Sequence, residues 1–84
     1  KAGQGRFLSN LLSDRRLKKD IKKISVSPSG IPIYEFSYLG DEKVYSGTMA
    51  QDLLALGKED SVVEENGYYK VNYNNIDVDM RLIK

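Results

Sequence analysis

Val62-Val63-Glu64-Glu65-Asn66-Gly67-Tyr68-Tyr69-Lys70-Val71-Asn72-Tyr73 sets Asn-Gly between two runs rich in β-branched and aromatic residues. Asn and Gly are the residues that best tolerate the positive backbone angles of a two-residue hairpin turn, so this stretch predicts two antiparallel strands. Upstream, Ile33-Tyr34-Glu35-Phe36-Ser37-Tyr38 reads as a strand. Gly40-Asp41-Glu42-Lys43 reads as a loop, and Val44-Tyr45-Ser46-Gly47 as the partner strand of a second hairpin. Between the hairpins, Met49, Leu53 and Leu56 follow helical spacing, with Thr48 as a natural cap and Gly57 as the stop.

The N-terminal part is different. Ser13-Asp14 precedes Leu17, Ile21 and Ile24, an apolar stripe at helical spacing. Arg15, Arg16, Lys18, Lys19, Lys22 and Lys23 occupy the other face. Ser13 or Asp14 would cap this basic helix, and Lys22 and Lys23 suit its C-terminal end. The stretch is short and contains Ile, so an extended form is the competing reading. Phe7, Leu8, Leu11 and Leu12 suit a turn or two of amphipathic helix after a small, polar start, Lys1-Ala2-Gly3-Gln4-Gly5. Ser27-Pro28-Ser29-Gly30 is a turn by composition. Ile76, Val78, Met80 and Leu82 alternate as in a strand, whereas Ile76, Met80 and Ile83 keep helical spacing. The expected fold is α+β: a small domain with two β-hairpins, a central helix and an N-terminal basic helix. Residues 1–12 are read as a linker and the end of an upstream region, and 13–84 as the domain.

Composition narrows the chemistry. Eighty-four residues make one small domain whose core is marginal without a partner. The chain has no cysteine and no histidine. Disulfides, thiolate metal sites and imidazole bases are thereby excluded, leaving Ser, Lys, Tyr, Asp and Glu for any catalysis. No apolar run reaches the roughly 20 residues of a membrane span. Asp77 and Asp79 alternate without a further metal ligand nearby, and Gly3 and Gly5 precede no strand, so no metal or phosphate motif is expected. The chain begins at Lys1 without an initiator Met, as a piece of a longer protein would. Residues 1–23 carry a net charge of +6 and residues 24–84 a net charge of −5. This asymmetry fits halves or copies that attract one another. It also admits a basic nucleic-acid-binding arm, although no aromatic residue is interleaved with the basic run from Arg15 to Lys23. The six tyrosines read as strand packing with wet hydroxyls.

Three segments, in order, carry a resemblance. Ser13-Asp14-Arg15-Arg16-Leu17-Lys18-Lys19-Asp20-Ile21 is similar to an S-D-x-R-x-K-x-x-I signature. Val44-Tyr45-Ser46-Gly47-Thr48-Met49-Ala50-Gln51-Asp52 is similar to Y-x-G-x-M-A-Q followed by Asp or Glu. Val62-Val63-Glu64 through Tyr73 resembles A-V-x-x-x-x-G-x-x-x-V-x-Y. Together they resemble the C-terminal intramolecular chaperone domain of phage tail spikes, tail fibres and endosialidases. The resemblance implies a homotrimer that guides the preceding client segment of the same polypeptide into register and is then released by autoproteolysis. It implies a single-turnover serine autopeptidase, no cofactor, and a place in the virion or in the host cytoplasm during assembly. Cleavage would fall between Ser13 and Asp14, with Ser13 and Lys18 as a Ser–Lys dyad. Asp20 stands where many members carry Asn, and Arg16 and Asp20 are possible supporting residues. Many members also continue into a long C-terminal helix, where this chain has at most a short element after Asn75.

The chemistry sets conditions on that expectation. A free lysine titrates near about 10.4 and is a poor base at neutral pH. A crowd of like charges around Lys18, or burial, would lower it. Ser13 and Lys18 are five positions apart, and helical neighbours are about three or four apart, so the dyad meets only if Ser13 lies outside the helix. Ser13 cannot readily attack its own carbonyl, which would close a four-membered ring. A neighbouring copy's serine or an activated water would have to act, and an N-to-O shift would instead cut before Ser13. Arg16 could pair with Asp14, Asp20 or an acid of the second half. Gln51 and Asp52 suit polar contacts on the central helix. The rival readings are a non-cleaving oligomerisation or attachment domain kept in the virion, and the nucleic-acid module.

Overall fold

A computed structural model describes residues 10–84, and the readings that concern residues 1–9 lie outside it. Two antiparallel sheets and one short helix make up the domain. The first sheet joins β1 (Asn10–Leu12), β6 (Tyr68–Asn72) and β5 (Val62–Glu65), with β6 in the middle. The second runs β2 (Lys18–Val26), β3 (Pro32–Tyr38), β4 (Tyr45–Gly47), β7 (Arg81–Leu82). Helix α1 (Ala50–Ala55) buries Ala50 and Leu53. These two pack with Ile31, Val71, Tyr73 and Val78 into the core, flanked by Leu11, Ile33, Val62, Tyr69, Ile76 and Met80.

Both expected hairpins form. Asn66 and Gly67 take φ of 55° and 85° at the β5–β6 turn, as the Asn-Gly pair requires. Tyr34, Glu35 and Phe36 of β3 face Gly47, Ser46 and Tyr45 of β4. Helix α1 stops at Gly57, which takes a φ of 76°. Its N-terminus departs from expectation. Met49 holds the cap position without a side-chain bond, and Thr48 Oγ1 is buried with no hydrogen-bond partner among the described residues. The ambiguous tail resolves as the strand β7, paired with β4.

The basic helix is not formed. Only Arg15–Leu17 make a 3₁₀ turn, capped by Asp14, whose side chain accepts the Arg16 N–H. From Lys18 the chain is a strand, pairing with β3 from Lys18 opposite Tyr38 to Val26 opposite Pro32. A helix here would stack Arg15 on Lys19, Lys18 on Lys22 and Lys19 on Lys23, like charges four apart on one face. The strand sends most of these charges outward and sets Lys22 opposite Glu35. Two register shifts, between Lys19 and Lys22 and between Lys23 and Ser25, break the alternation that would have marked a strand. Asp20 sits at the first with a φ of 54°, a left-handed conformation that Asp and Asn accept more readily than most residues. β2 is an edge strand. Its bulges and exposed lysines are the usual guards against unwanted pairing. Leu11 and Leu12, expected in a helical turn, are in β1 and pair with Val71 and Lys70.

Candidate active site around Ser13 and Lys18

Ser13 and Asp14 lie between β1 and the 3₁₀ turn, and both are fully buried. Strand β1 lays Ser13 along β6, so that the Ser13 N–H donates to the Tyr69 carbonyl at 3.2 Å. The Ser13 carbonyl accepts the Ala50 N–H at 2.8 Å, at the start of α1. Ser13 Oγ lies 2.9 Å from Tyr73 Oη. The peptide bond between Ser13 and Asp14 thus has its carbonyl polarised by a backbone donor inside the protein.

Asp14 is gripped from all sides. Its Oδ1 accepts from the Arg16 N–H, Arg16 Nε and Gln51 Nε2, and its Oδ2 from an Arg16 guanidinium N–H at 2.6 Å and the Tyr69 N–H at 3.0 Å. The Arg16 guanidinium, helped by these other donors, holds the Asp14 carboxyl well below the usual carboxylate range. Arg16 also donates to the Gly67 carbonyl and lies over the Tyr68 ring, so it ties the site to the β5–β6 turn. Of the partners open to Arg16 in the sequence, Asp14 is the one it takes. Gln51 receives the Arg15 N–H on its other amide atom, and Asp52 accepts the Tyr34 hydroxyl, so both act as polar contacts of α1.

Lys18 is the inward residue at the start of β2, and only 6% of its surface is exposed. Its Nζ donates to the Thr48 carbonyl at 2.9 Å and stands 3.8 Å from the centre of the Phe36 ring. Lysine is almost never this buried without a counter-charge. Burial lowers its ammonium to about 7, with Asp14 opposing the shift. The expected lowering is present, and its cause in this chain is burial rather than the neighbouring basic residues, which point away.

Ser13 and Lys18 share the site without bonding to each other. Tyr73 and Thr48 stand between them: the Thr48 N–H donates to Tyr73 Oη at 3.2 Å, while the Thr48 carbonyl holds Lys18. Burial raises the Tyr73 hydroxyl above its ordinary value, so it remains a proton donor. Sequence reasoning gave Tyr73 only strand packing. Its signal was its position two after Val71, on the same inward face, where a buried tyrosine needs a partner for its hydroxyl. The half-buried Tyr38 of β3 also uses its hydroxyl, donating to the Leu12 carbonyl at 2.6 Å. Asp20 is exposed at its bulge, and among the described residues no hydrogen bond joins it to Ser13, Asp14 or Lys18. The φ of 54° at Asp20 is one that Asn would accept as readily.

The family model for the chaperone of endosialidase matches residues 13–62, more than half of the chain, and begins at Ser13 itself. No curated protein and no solved structure gave a match. The matched segment holds Ser13, Asp14, Arg16, Lys18, Thr48 and Gln51. The chain belongs to the chaperone-of-endosialidase family, the C-terminal intramolecular chaperones of phage tail proteins.

Proposed function

We propose that this intramolecular chaperone assembles as a homotrimer, brings an upstream client segment of its own polypeptide into register, and cuts itself from it between Ser13 and Asp14. Membership of the family supports a setting in the virion or its assembly. The observation that carries the cleavage reading is Lys18: a buried lysine, without a direct ion pair among the described residues, linked through Thr48 and Tyr73 to a buried serine. A lysine lowered to about 7 is neutral in half of the molecules at that pH and has a lone pair to accept a proton.

The proposed cut runs in balanced steps. Neutral Lys18 takes a proton from a water held at the Ser13 hydroxyl, and the water oxygen attacks the Ser13 carbonyl carbon. The Ala50 N–H, already on that carbonyl oxygen, stabilises the oxyanion. The C–N bond breaks as the Lys18 ammonium returns its proton to the Asp14 nitrogen. The products are a Ser13 carboxylic acid and an Asp14 amine; the acid's proton then passes to the amine, leaving a carboxylate and an ammonium. Ser13 is fully buried in its own subunit, which disfavours attack by a neighbouring copy's serine.

One contact favours a second reading of the bond. Tyr38 Oη donates to the Leu12 carbonyl. If Ser13 Oγ attacked that carbon, through a five-membered ring, Tyr38 would hold the oxyanion, and the fragment would begin at Ser13.

The test is a time course of cleavage for the domain carrying upstream client sequence, comparing wild type with Lys18→Met and Lys18→Arg. Loss of cleavage in both variants, with the fold retained, supports the lysine base. Wild-type rates in Lys18→Met would sink it. An uncut but trimeric wild type would instead make the domain a retained assembly module.

A further inference from the structure

We infer that cutting the Ser13–Asp14 bond does not by itself free the client: the tail Asn10–Ser13 stays seated on β6 as a non-covalent strand, and release is a separate second step. This rests on the cleavage reading above and concerns what the cut leaves behind.

Among the described residues, the contacts that hold the upstream side reach elements beyond the bond, and none depends on the bond. Asn10, Leu11 and Leu12 pair with Asn72, Val71 and Lys70 of β6. The ladder continues through the Ser13 N–H on the Tyr69 carbonyl. Tyr38 Oη donates to the Leu12 carbonyl, the Ala50 N–H to the Ser13 carbonyl, and Ser13 Oγ is bonded to Tyr73. Leu11 packs against the core. On the other side, Asp14 is anchored separately by Arg16, Gln51 and the Tyr69 N–H. Both new chain ends are therefore held independently, and the new carboxylate keeps a backbone donor.

Removal of the tail is also costly on the protein side. β6 lies between β1 and β5, so losing β1 turns its middle strand into an open edge and uncovers the apolar cluster beneath Leu11. The vacated edge is a strand-addition site, with main-chain ladder bonds for affinity and the Leu11 contact for selectivity. Its occupant is the client's own C-terminal Asn-Leu-Leu-Ser.

The experiment has two arms. In the first, one sample of self-cleaved protein is weighed under denaturing and native conditions. We expect two fragments when denatured and a single complex when native. Two separate species in both would overturn the inference. The second arm does not need self-cleavage. The client through Ser13 and the segment from Asp14 to Lys84 are produced together as separate chains, with and without Leu11→Pro. Ser13 N–H bonding to β6 makes Leu11 the previous residue to do so, and proline removes that donor. We expect the two chains to copurify, and Leu11→Pro to weaken their association about tenfold, the scale of one net hydrogen bond. Failure to copurify, or no effect of Leu11→Pro, contradicts the inference. An uncut first-arm sample counts against the cleavage reading alone, since the second arm still decides retention.

Discussion

Lys18 Nζ stands 3.8 Å from the centre of the Phe36 ring, inside the domain rather than on its basic edge. The ring face favours a cation locally, but loss of hydration outweighs it and lowers the ammonium from 10.5 to about 7. In the unfolded chain Lys18 keeps its proton to the higher value. Between about pH 7 and pH 10.5 the unfolded state therefore binds more protons than the folded one, and stability rises with pH. The increase from this group approaches about 1.4 kcal/mol per pH unit inside that window. It is lost again as pH falls to about 7. Lys18→Met removes the buried charge, so its denaturation midpoint should depend less on pH across that window than the wild type's. Denaturant titrations at several pH values check this, and equal pH slopes would mean Lys18 is solvated.

The rate of cleavage should carry the same signature. With Lys18 as the base, the rate rises with pH and levels off above about 7. A rate that still climbs steeply toward pH 10 would indicate an ordinary lysine or a different base.

Asp14 sits where only acceptors fit, since all the groups around its two oxygens are donors. Asp14→Asn puts an amide NH₂ against donors and should cost about 2 kcal/mol at neutral pH, part of the charge effect being screened at the exposed Arg16. The carboxyl of folded Asp14 is depressed, so its contribution is present above the unfolded value near about 4 and is lost as pH falls below it. The stability gap between wild type and Asp14→Asn should therefore narrow in acid. Chemical denaturation at pH 7 and pH 3 measures the onset of that narrowing.

Gly47 is packed against the site. A Cβ there would come within 2.9 Å of both Met80 Sδ and Tyr73 Oη. Methionine is adaptable, but the Tyr73 hydroxyl is held by Ser13 and Thr48. Gly47→Ala should cost about 1–3 kcal/mol and displace Tyr73, slowing cleavage beyond what the stability loss explains. Unchanged cleavage in a folded Gly47→Ala protein would show that the Tyr73–Ser13 bond is dispensable.

What could be read from the sequence was local. Asn66-Gly67, Gly57 and the Met49–Leu56 stripe announce a turn, a stop and a helix through their own backbone preferences, and each appears. Asp14 is a cap in the structure as in the sequence, though of a single 3₁₀ turn. The stretch from Lys18 to Val26 could not be read this way. Its strand is decided by pairing with β3, and its bulges erase the period of two. That same pairing turns Lys18 inward, so of the two causes open in the sequence, like charges and burial, burial is the one that lowers its ammonium. Tyr73 and the Thr48 backbone join the site only through contacts across the fold, which no spacing along the chain encodes.

The most direct test of the account is the intact mass of the domain fused to upstream client sequence, wild type beside Ser13→Ala. The account predicts that wild type yields a fragment beginning at Asp14 while Ser13→Ala stays whole and folded. A fragment beginning at Ser13 would move the cut to the Leu12 carbonyl held by Tyr38. Wild type that stays intact as a trimer, or Ser13→Ala that is cut as fast as wild type, would contradict the claim that Ser13 and Lys18 free this domain from its client.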